Sequence, residues 1–429
     1  MNKYFYLTGV ALVMMLSTFA QQFDVSAEVR PRYENKHGFK TLIEDNTDGT
    51  NFVSQRTRLN FGFKNEKLKL YVSMQNVRVW GDVSTLSSDD NATALHEAWA
   101  VAILNEKVSL KLGRQEIVYD DHRIFGSVGW AQQARSHDAF LFKYVPNANN
   151  KLDVGFALSS DSQSGVDNLY SNAAGYKAFQ YAWYHGNFNK FGISFLLLNT
   201  GIEYLENAGL PNEDQTIDYM QTIGPRATYK SGKLDANASV YFQSGKSLNA
   251  DVGASYFAGN VGYKINDNFK AGLGMEYLSG KDMNDIDTDI KSFAPLFGTN
   301  HKFNGWMDYF YVGNHANNVG LTDIYATIAY NKNKFSAKVI PHIFSAAADI
   351  YDGAGVKMDN SLGTEIDLAV SYKLAKDINL SAGHSMMFAT ESMEVLKGGG
   401  DKDASNSWTW IMFTFKPKLF THTVADKTL

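Results

Sequence analysis

The chain has 429 residues, 44% of them apolar and 14% aromatic, with 35 Gly, 7 Pro and no Cys. The lack of Cys excludes a disulfide framework, thiolate metal sites and cysteine nucleophiles. A formal charge of −5, from 40 basic and 45 acidic residues, leaves no footprint for nucleic acid.

Residues 1–20 read as a signal peptide. Lys3 supplies a positive n-region, residues 4–19 an apolar h-region, and Thr18-Phe19-Ala20 the small residues that precede cleavage before Gln21. The alternative, an N-terminal anchor, is short for a spanning helix and has no charged flank to stop transfer. No later segment approaches about eighteen consecutive apolar residues, so no membrane helix is expected.

From Phe23 the sequence reads in twos. In Phe23-Asp24-Val25-Ser26-Ala27-Glu28-Val29-Arg30-Pro31-Arg32-Tyr33 apolar and polar residues alternate, which gives a strand one greasy and one wet face. Eighteen strands are predicted, beginning near residues 23, 52, 68, 95, 107, 136, 151, 177, 190, 216, 233, 249, 268, 320, 333, 359, 377 and 405. Short turns, such as Asn105-Glu106 and Asn266-Asp267, alternate with longer polar stretches, of which 280–319 is the largest; 245–248 is a brief exception. Outer-membrane barrels show that rhythm, with short periplasmic turns and long extracellular loops. The expected fold class is therefore all-β, a transmembrane antiparallel β-barrel of about 18 strands. The expected divisions are a signal peptide at 1–20, the barrel at 21–416 and a periplasmic C-terminal tail at 417–429. A secreted multi-domain sandwich would need a linker, and no Pro/Ser/Thr-rich break divides the chain.

Barrels of sixteen to eighteen strands enclose an aqueous channel, and charges lining the lumen set its selectivity. Arg30/Arg32 and Arg56/Arg58 are i, i+2 pairs on the wet faces of neighbouring strands. A lipid-facing Arg near the midplane costs about 2–4 kcal/mol, so these four belong in the lumen or at the rim. Arg226 lies in phase with Asp218, Thr222 and Thr228, again on a wet face. Guanidinium groups stay charged and bind carboxylates bidentately, which points to an anionic solute. The competing role is bracing of the wall by pairing with acids such as Glu28.

The stretch Leu110-Lys111-Leu112-Gly113-Arg114-Gln115, followed by Asp120-Asp121-His122-Arg123 and by Trp130-Ala131-Gln132-Gln133-Ala134-Arg135-Ser136-His137-Asp138-Ala139, resembles the signature of the alginate-export porin family. The match is dense over 95–145 and elsewhere rests on strand count and segments such as Gln55-Arg56-Thr57-Arg58-Leu59. The resemblance implies an eighteen-stranded outer-membrane barrel whose electropositive, arginine-lined lumen passes the polyuronate alginate. It adds Arg114, Arg123 and Arg135 to Arg30, Arg32, Arg56, Arg58 and Arg226 as candidates for the substrate pathway. Arg114 shares the face of Leu110 and Leu112, so either a bulge at Gly113 turns it inward or it sits at the rim.

The expected function is an outer-membrane channel for anionic solutes of the uronate polysaccharide or oligosaccharide type. The alternatives are a general or nutrient-uptake porin, an outer-membrane hydrolase and a loop-based receptor. Expected partners are outer-membrane lipid and lipopolysaccharide, the anionic solute and barrel-insertion machinery, with no nucleic acid and no cofactor. A hydrolase would have to use Asp120-Asp121-His122 and Ser136-His137-Asp138, where no nucleophile stands out. Gly245-Lys246-Ser247 lacks the first Gly of a phosphate loop, since Val240 stands there. Asp285, Asp287 and Asp289 alternate like calcium ligands, but Ile290 and Leu296 replace the Gly and Glu of an EF-hand, leaving a loose surface site or a solvated acidic loop. His96, His122, His137 and His185 have no metal-ligand spacing. Plugged transporters have about 22 strands and an N-terminal plug, whereas alternation here starts at Phe23. Loops 118–135 and 280–319 are long enough to fold inward and constrict the pore.

Overall fold

A computed structural model describes residues 20–89, 92–166, 168–311, 315 and 318–425. The predicted signal peptide, apart from Ala20, lies outside the described residues. The strands are β1 (Ala20–His37), β2 (Thr50–Lys64), β3 (Leu68–Val79), β4 (Thr93–Ile103), β5 (Val108–Gln115), β6 (His137–Asn147), β7 (Asn150–Leu158), β8 (Ala178–Phe188), β9 (Phe191–Glu206), β10 (Asp214–Ser231), β11 (Leu234–Ser247), β12 (Ala250–Lys264), β13 (Phe269–Leu278), β14 (Leu321–Lys332), β15 (Phe335–Ser345), β16 (Ser361–Ala375), β17 (Ile378–Ala389), β18 (Asn406–Phe415) and β19 (Lys418–Ala425). Each of β1 to β17 pairs antiparallel with the next, β17 pairs with β18, and β18 closes the sheet on β1.

The last strand is broken rather than ended. β19 continues along β1 from Ser26↔Lys418 to Ala20↔Ala425, below the β18 register of Val29↔Phe415. Pro417 interrupts the ladder because it has no N–H to donate, while its carbonyl still accepts from Ala27 N at 3.1 Å. β18 and β19 together make one wall position, so the barrel has eighteen. Residues 418–425 are thus wall strand where a periplasmic tail was expected, and 426–429 lie outside the described residues.

The alternation is inside-out relative to a soluble protein. In β9 the exposed side carries Ile193, Phe195 and Leu197, each more than 40% accessible, while Ser194 and Thr200 are buried. In β1 the buried side carries Glu28, Arg30, Arg32 and Glu34. Only a solvent of hydrocarbon outside and a polar, packed interior reconcile those faces, as in a transmembrane barrel. Among the described residues the strand ladders run round a closed circle that leaves no sheet edge to lipid.

Long connections gather at one end and two of them turn inward. Among the described residues the one α-helix, α1 (Glu391–Lys397), packs over this end. Thr390 Oγ1 accepts from Met393 N at 3.3 Å as its N-cap, and Gly398, at φ 74°, ends it in the left-handed conformation. Beneath lies an aromatic core inside the barrel, where Phe125, Phe179 and Phe297 meet at centroid distances of 5.4 to 5.7 Å.

Candidate functional site

Loop 116–136, between β5 and β6, lies inside the barrel and is held by the arginine face of β1 and β2. Arg30 donates from Nη1 to Gly129 O at 2.8 Å, from Nη2 to Trp130 O at 3.0 Å, and from Nε to Gln132 Oε1 at 3.1 Å. Arg32 donates to Trp130 O at 2.8 Å, and its guanidinium lies 4.3 Å from the Trp130 ring centroid. Arg56 pairs with Glu28 at 2.5 Å and reaches Gln132 O at 3.4 Å. The loop's bare carbonyls are what a five-donor fork satisfies, and such charge-assisted bonds exceed neutral ones in strength. These three arginines therefore grip backbone rather than open water.

Loop 279–320 enters from β13 and β14 and interlocks with the first. Phe125 and Phe297 form a parallel bridge, Gly126 N donates to Phe297 O at 2.9 Å, and Thr299 N donates to His122 O at 2.9 Å. The approach needs a glycine, since a Cβ at Gly126 would sit 2.3 Å from Thr299 Oγ1. Arg123 is buried between the loops, pairing with Glu276 at 3.0 Å and donating to Asn304 Oδ1 at 2.8 Å. The second loop is anchored by wall carboxylates. Glu365 accepts from Met307 N at 2.8 Å, Asp367 from Trp306 N at 3.1 Å, and Asp323 from Asn304 Nδ2 at 3.3 Å, while His342 of β15 pairs with Asp323 at 2.9 Å.

The other candidates fall in different places. Arg226 pairs with Asp121 at 2.5 Å, fastening the loop to β10. Arg135 donates to Gly298 O at 3.2 Å across the loop junction. Arg58 bonds Gln75 Oε1 at 2.9 Å, and its buried Nη2 has no partner. Arg114 takes the rim position, one of the two expected for it, and lines a loop-side cavity there together with Arg135. It stands on the outward face with Leu112, pairs with Asp138 at 2.7 Å and is 43% exposed at the loop-side end of β5. No register shift occurs between β4 and β5 at Gly113; the shift lies between β3 and β4 at Ser73/Met74. The wet face therefore never switches at Arg114.

The acidic loop and the scattered histidines also resolve. Lys291 pairs with Asp285 at 2.6 Å and Asp287 at 3.6 Å, so a lysine ammonium stands among these carboxylates. His137 packs among Tyr176, Phe179 and Phe297, Asp138 faces outward, and Asp120 accepts from Trp183 Nε1 at 2.9 Å. The two polar triplets thus do not assemble. Among the described residues His96, Glu97 and Glu116 bring three potential metal-ligand atoms together, a group that the bulge in β4 creates and linear spacing conceals.

Two cavities flank the inward loops. One of about 560 Å³ opens near the loop-side rim and is lined by His96, Arg135, His137, Tyr176 and Tyr311. The other, about 440 Å³, lies between the loops and the wall and is lined by Trp130, His301, Lys302, Trp306, Lys338 and Trp410 among others. Sequence reasoning missed this second group, whose members come from both loops and from β15 and β18.

Loop docking carries a pH dependence. Burial, with the Lys397 ammonium beside it, pulls His315 down to about 3 from 6.5. The docked loop holds a neutral imidazole that the undocked loop can protonate, so stability is full above pH about 6.5 and falls as pH drops toward 3. Protease cleavage in 279–320 is expected to accelerate between pH about 7 and about 5, and to lose that dependence in His315→Phe.

Several solved outer-membrane structures share the fold. A BenF-like porin from Pseudomonas fluorescens Pf-5 is 14% identical with a TM-score of 0.60, over 92% of this chain and 99% of that one. OccK9 (OpdG) of Pseudomonas aeruginosa is 13% identical with a TM-score of 0.61, over 92% and 98%. OpdK of Pseudomonas aeruginosa, determined with vanillate, is 12% identical with a TM-score of 0.58, over 94% and 99%. No curated protein matches the sequence. The model of the alginate export family matches residues 21–398, nearly the whole chain. With that match and a closed barrel of outer-membrane porin architecture, the chain belongs to the alginate export family and is a porin-like channel of the Gram-negative outer membrane, not an enzyme.

Proposed function

We propose that the channel passes carboxylate-bearing solutes of the uronate type, such as alginate oligosaccharides, past cationic groups left over once the loops are fastened. One observation carries this reading. Among the described residues Arg58, Arg135, Lys302 and Lys338 face the lumen or its loops with no carboxylate within 4.0 Å. The acids of the opposite wall are occupied by loop N–H groups, Arg123 and His342. The solute-accessible surplus is positive, and a solute carboxylate can exchange part of its hydration for these donors. The vanillate in the OpdK structure, itself a carboxylate, agrees with an anionic cargo on this architecture. Passage is passive, and the same reading takes barrel-insertion machinery as the partner that delivers the chain to the membrane.

Reversal potential across a KCl gradient in a planar bilayer tests it. Anion selectivity is expected, with block by oligouronates, and both weaken in an Arg58→Gln/Arg135→Gln double variant. Cation selectivity overturns the proposal. Unselective conductance indifferent to uronates leaves a general porin.

A further inference from the structure

The geometry points to a built binding subsite in the inner cavity for a six-membered ring bearing a carboxylate, held by Lys302 and Lys338 against the face of Trp306. This inference rests on the channel reading only in supposing that solute reaches the lumen.

Four observations support it. The cavity of about 440 Å³ falls within the usual range of small-molecule sites, about 300–1,000 Å³. Its lining combines four indoles, Trp130, Trp306, Trp408 and Trp410, with two lysines, a density of rings that bracing a wall does not require. Lys338 Nζ lies 4.5 Å from the Trp306 ring centroid, a cation poised at an indole face. Neither Lys302 nor Lys338 has a carboxylate within 4.0 Å among the described residues; Lys302 donates only to Asp121 O at 2.8 Å. Two ammonium groups at one cavity, neither in contact with a carboxylate, leave room for an anion from outside.

The chemistry of the ligand follows. An inorganic anion would use the lysines and leave the indoles idle, and a neutral ring would leave the lysines unpaired. A ring carboxylate satisfies both, its flat apolar face on the indole and its oxygens on the ammonium groups. The other rings are already engaged and shape the box. Trp130 has Arg32 at 4.3 Å and stacks with His301 at 5.1 Å, while its edge meets Trp410 at 4.8 Å. That packing fixes the roof before a ligand arrives, so little ordering entropy remains to be lost on binding.

Both uronate sugars and aromatic acids carry this chemistry. The purified protein in detergent is titrated with digalacturonate, benzoate and the neutral disaccharide cellobiose, reading tryptophan fluorescence and melting temperature. Saturable quenching and a raised Tm are expected for at least one acid and not for cellobiose; which acid responds identifies the source. Lys338→Gln should weaken binding at least ten-fold, Lys338→Arg should retain most of it, and Trp306→Leu should weaken the ring acid without creating cellobiose binding. Each variant is first checked for folded, heat-modifiable mobility on a gel. Equal binding of cellobiose and the acids, or affinity unchanged in both Lys338→Gln and Trp306→Leu, overturns the subsite. Wild-type reversal potential is read on the same preparation. A cation-selective pore that still binds a ring acid through Lys338 sinks the anion pathway and leaves the subsite standing.

Discussion

Excision of residues 126–134, bridged by a short Gly-Ser link, is expected to raise single-channel conductance several-fold. An eighteen-strand wall encloses a lumen wide enough for an open aqueous channel, so what narrows this one is the material inside it. The removed segment supplies the carbonyls of Gly129, Trp130 and Ala131 that occupy Arg30, and the backbone that bridges to Phe297 and Thr299. Without it Arg30 and Arg32 meet lumen water rather than an apolar void, so the barrel wall itself tolerates the change. Anion preference should rise along with conductance, since three guanidinium groups lose their loop partners while Glu28 and Glu34 still neutralise two of them. Planar-bilayer recording reads both quantities. Conductance equal to the intact protein would mean that the ion path bypasses this loop, and the role assigned to the arginine clamp would fall.

The wall was legible because its two solvents write opposite demands on alternate residues. Lipid requires apolar side chains such as Phe195 and Leu197, and the interior admits Ser194 between them, so period two survives over long stretches. The predicted strand starts lie within three residues of those observed. One wall segment escaped because Pro417 breaks the alternation, and residues 418–425 then look like a tail. The arginine faces of β1 and β2 were also readable, but what they hold was not. Arg30 and Gln132 are 102 residues apart, and the loop that joins them has no period, only glycines whose close contacts exist in three dimensions. The Lys338–Trp306 pairing shares that reason. Lumen contents are specified by shape and by donor and acceptor matching, which a linear pattern does not display. At Arg114 alternation left a choice between a face switch and the rim, and only the three-dimensional position, paired with Asp138 and lining the loop-side cavity, decides between them.

The largest loss of stability is expected from Arg123→Met. Arg123 is 1% exposed and Glu276 4%, and they pair at 3.0 Å with Asn304 bonded to both. Removing one member of such a pair leaves an uncompensated buried charge and costs about 3–5 kcal/mol. Here the cost falls on the junction between the two inward loops, because Arg123 also lies 4.6 Å from the Phe303 ring centroid and 5.1 Å from that of Tyr256. Arg123→Met should therefore lower the temperature of heat-modified mobility and add open-channel noise, as loop 279–320 loses its hold on loop 116–136. The double variant Arg123→Met/Glu276→Gln separates the causes. Removing the stranded carboxylate should restore much of the stability, because a neutral pair of similar volume carries no desolvated charge. A double variant as unstable as the single one would assign the effect to the lost cation–π packing against Phe303 and Tyr256. Recovery of stability without recovery of quiet conductance would show that the charge pair is kept for its precision in seating the loops, since the barrel could stand without it.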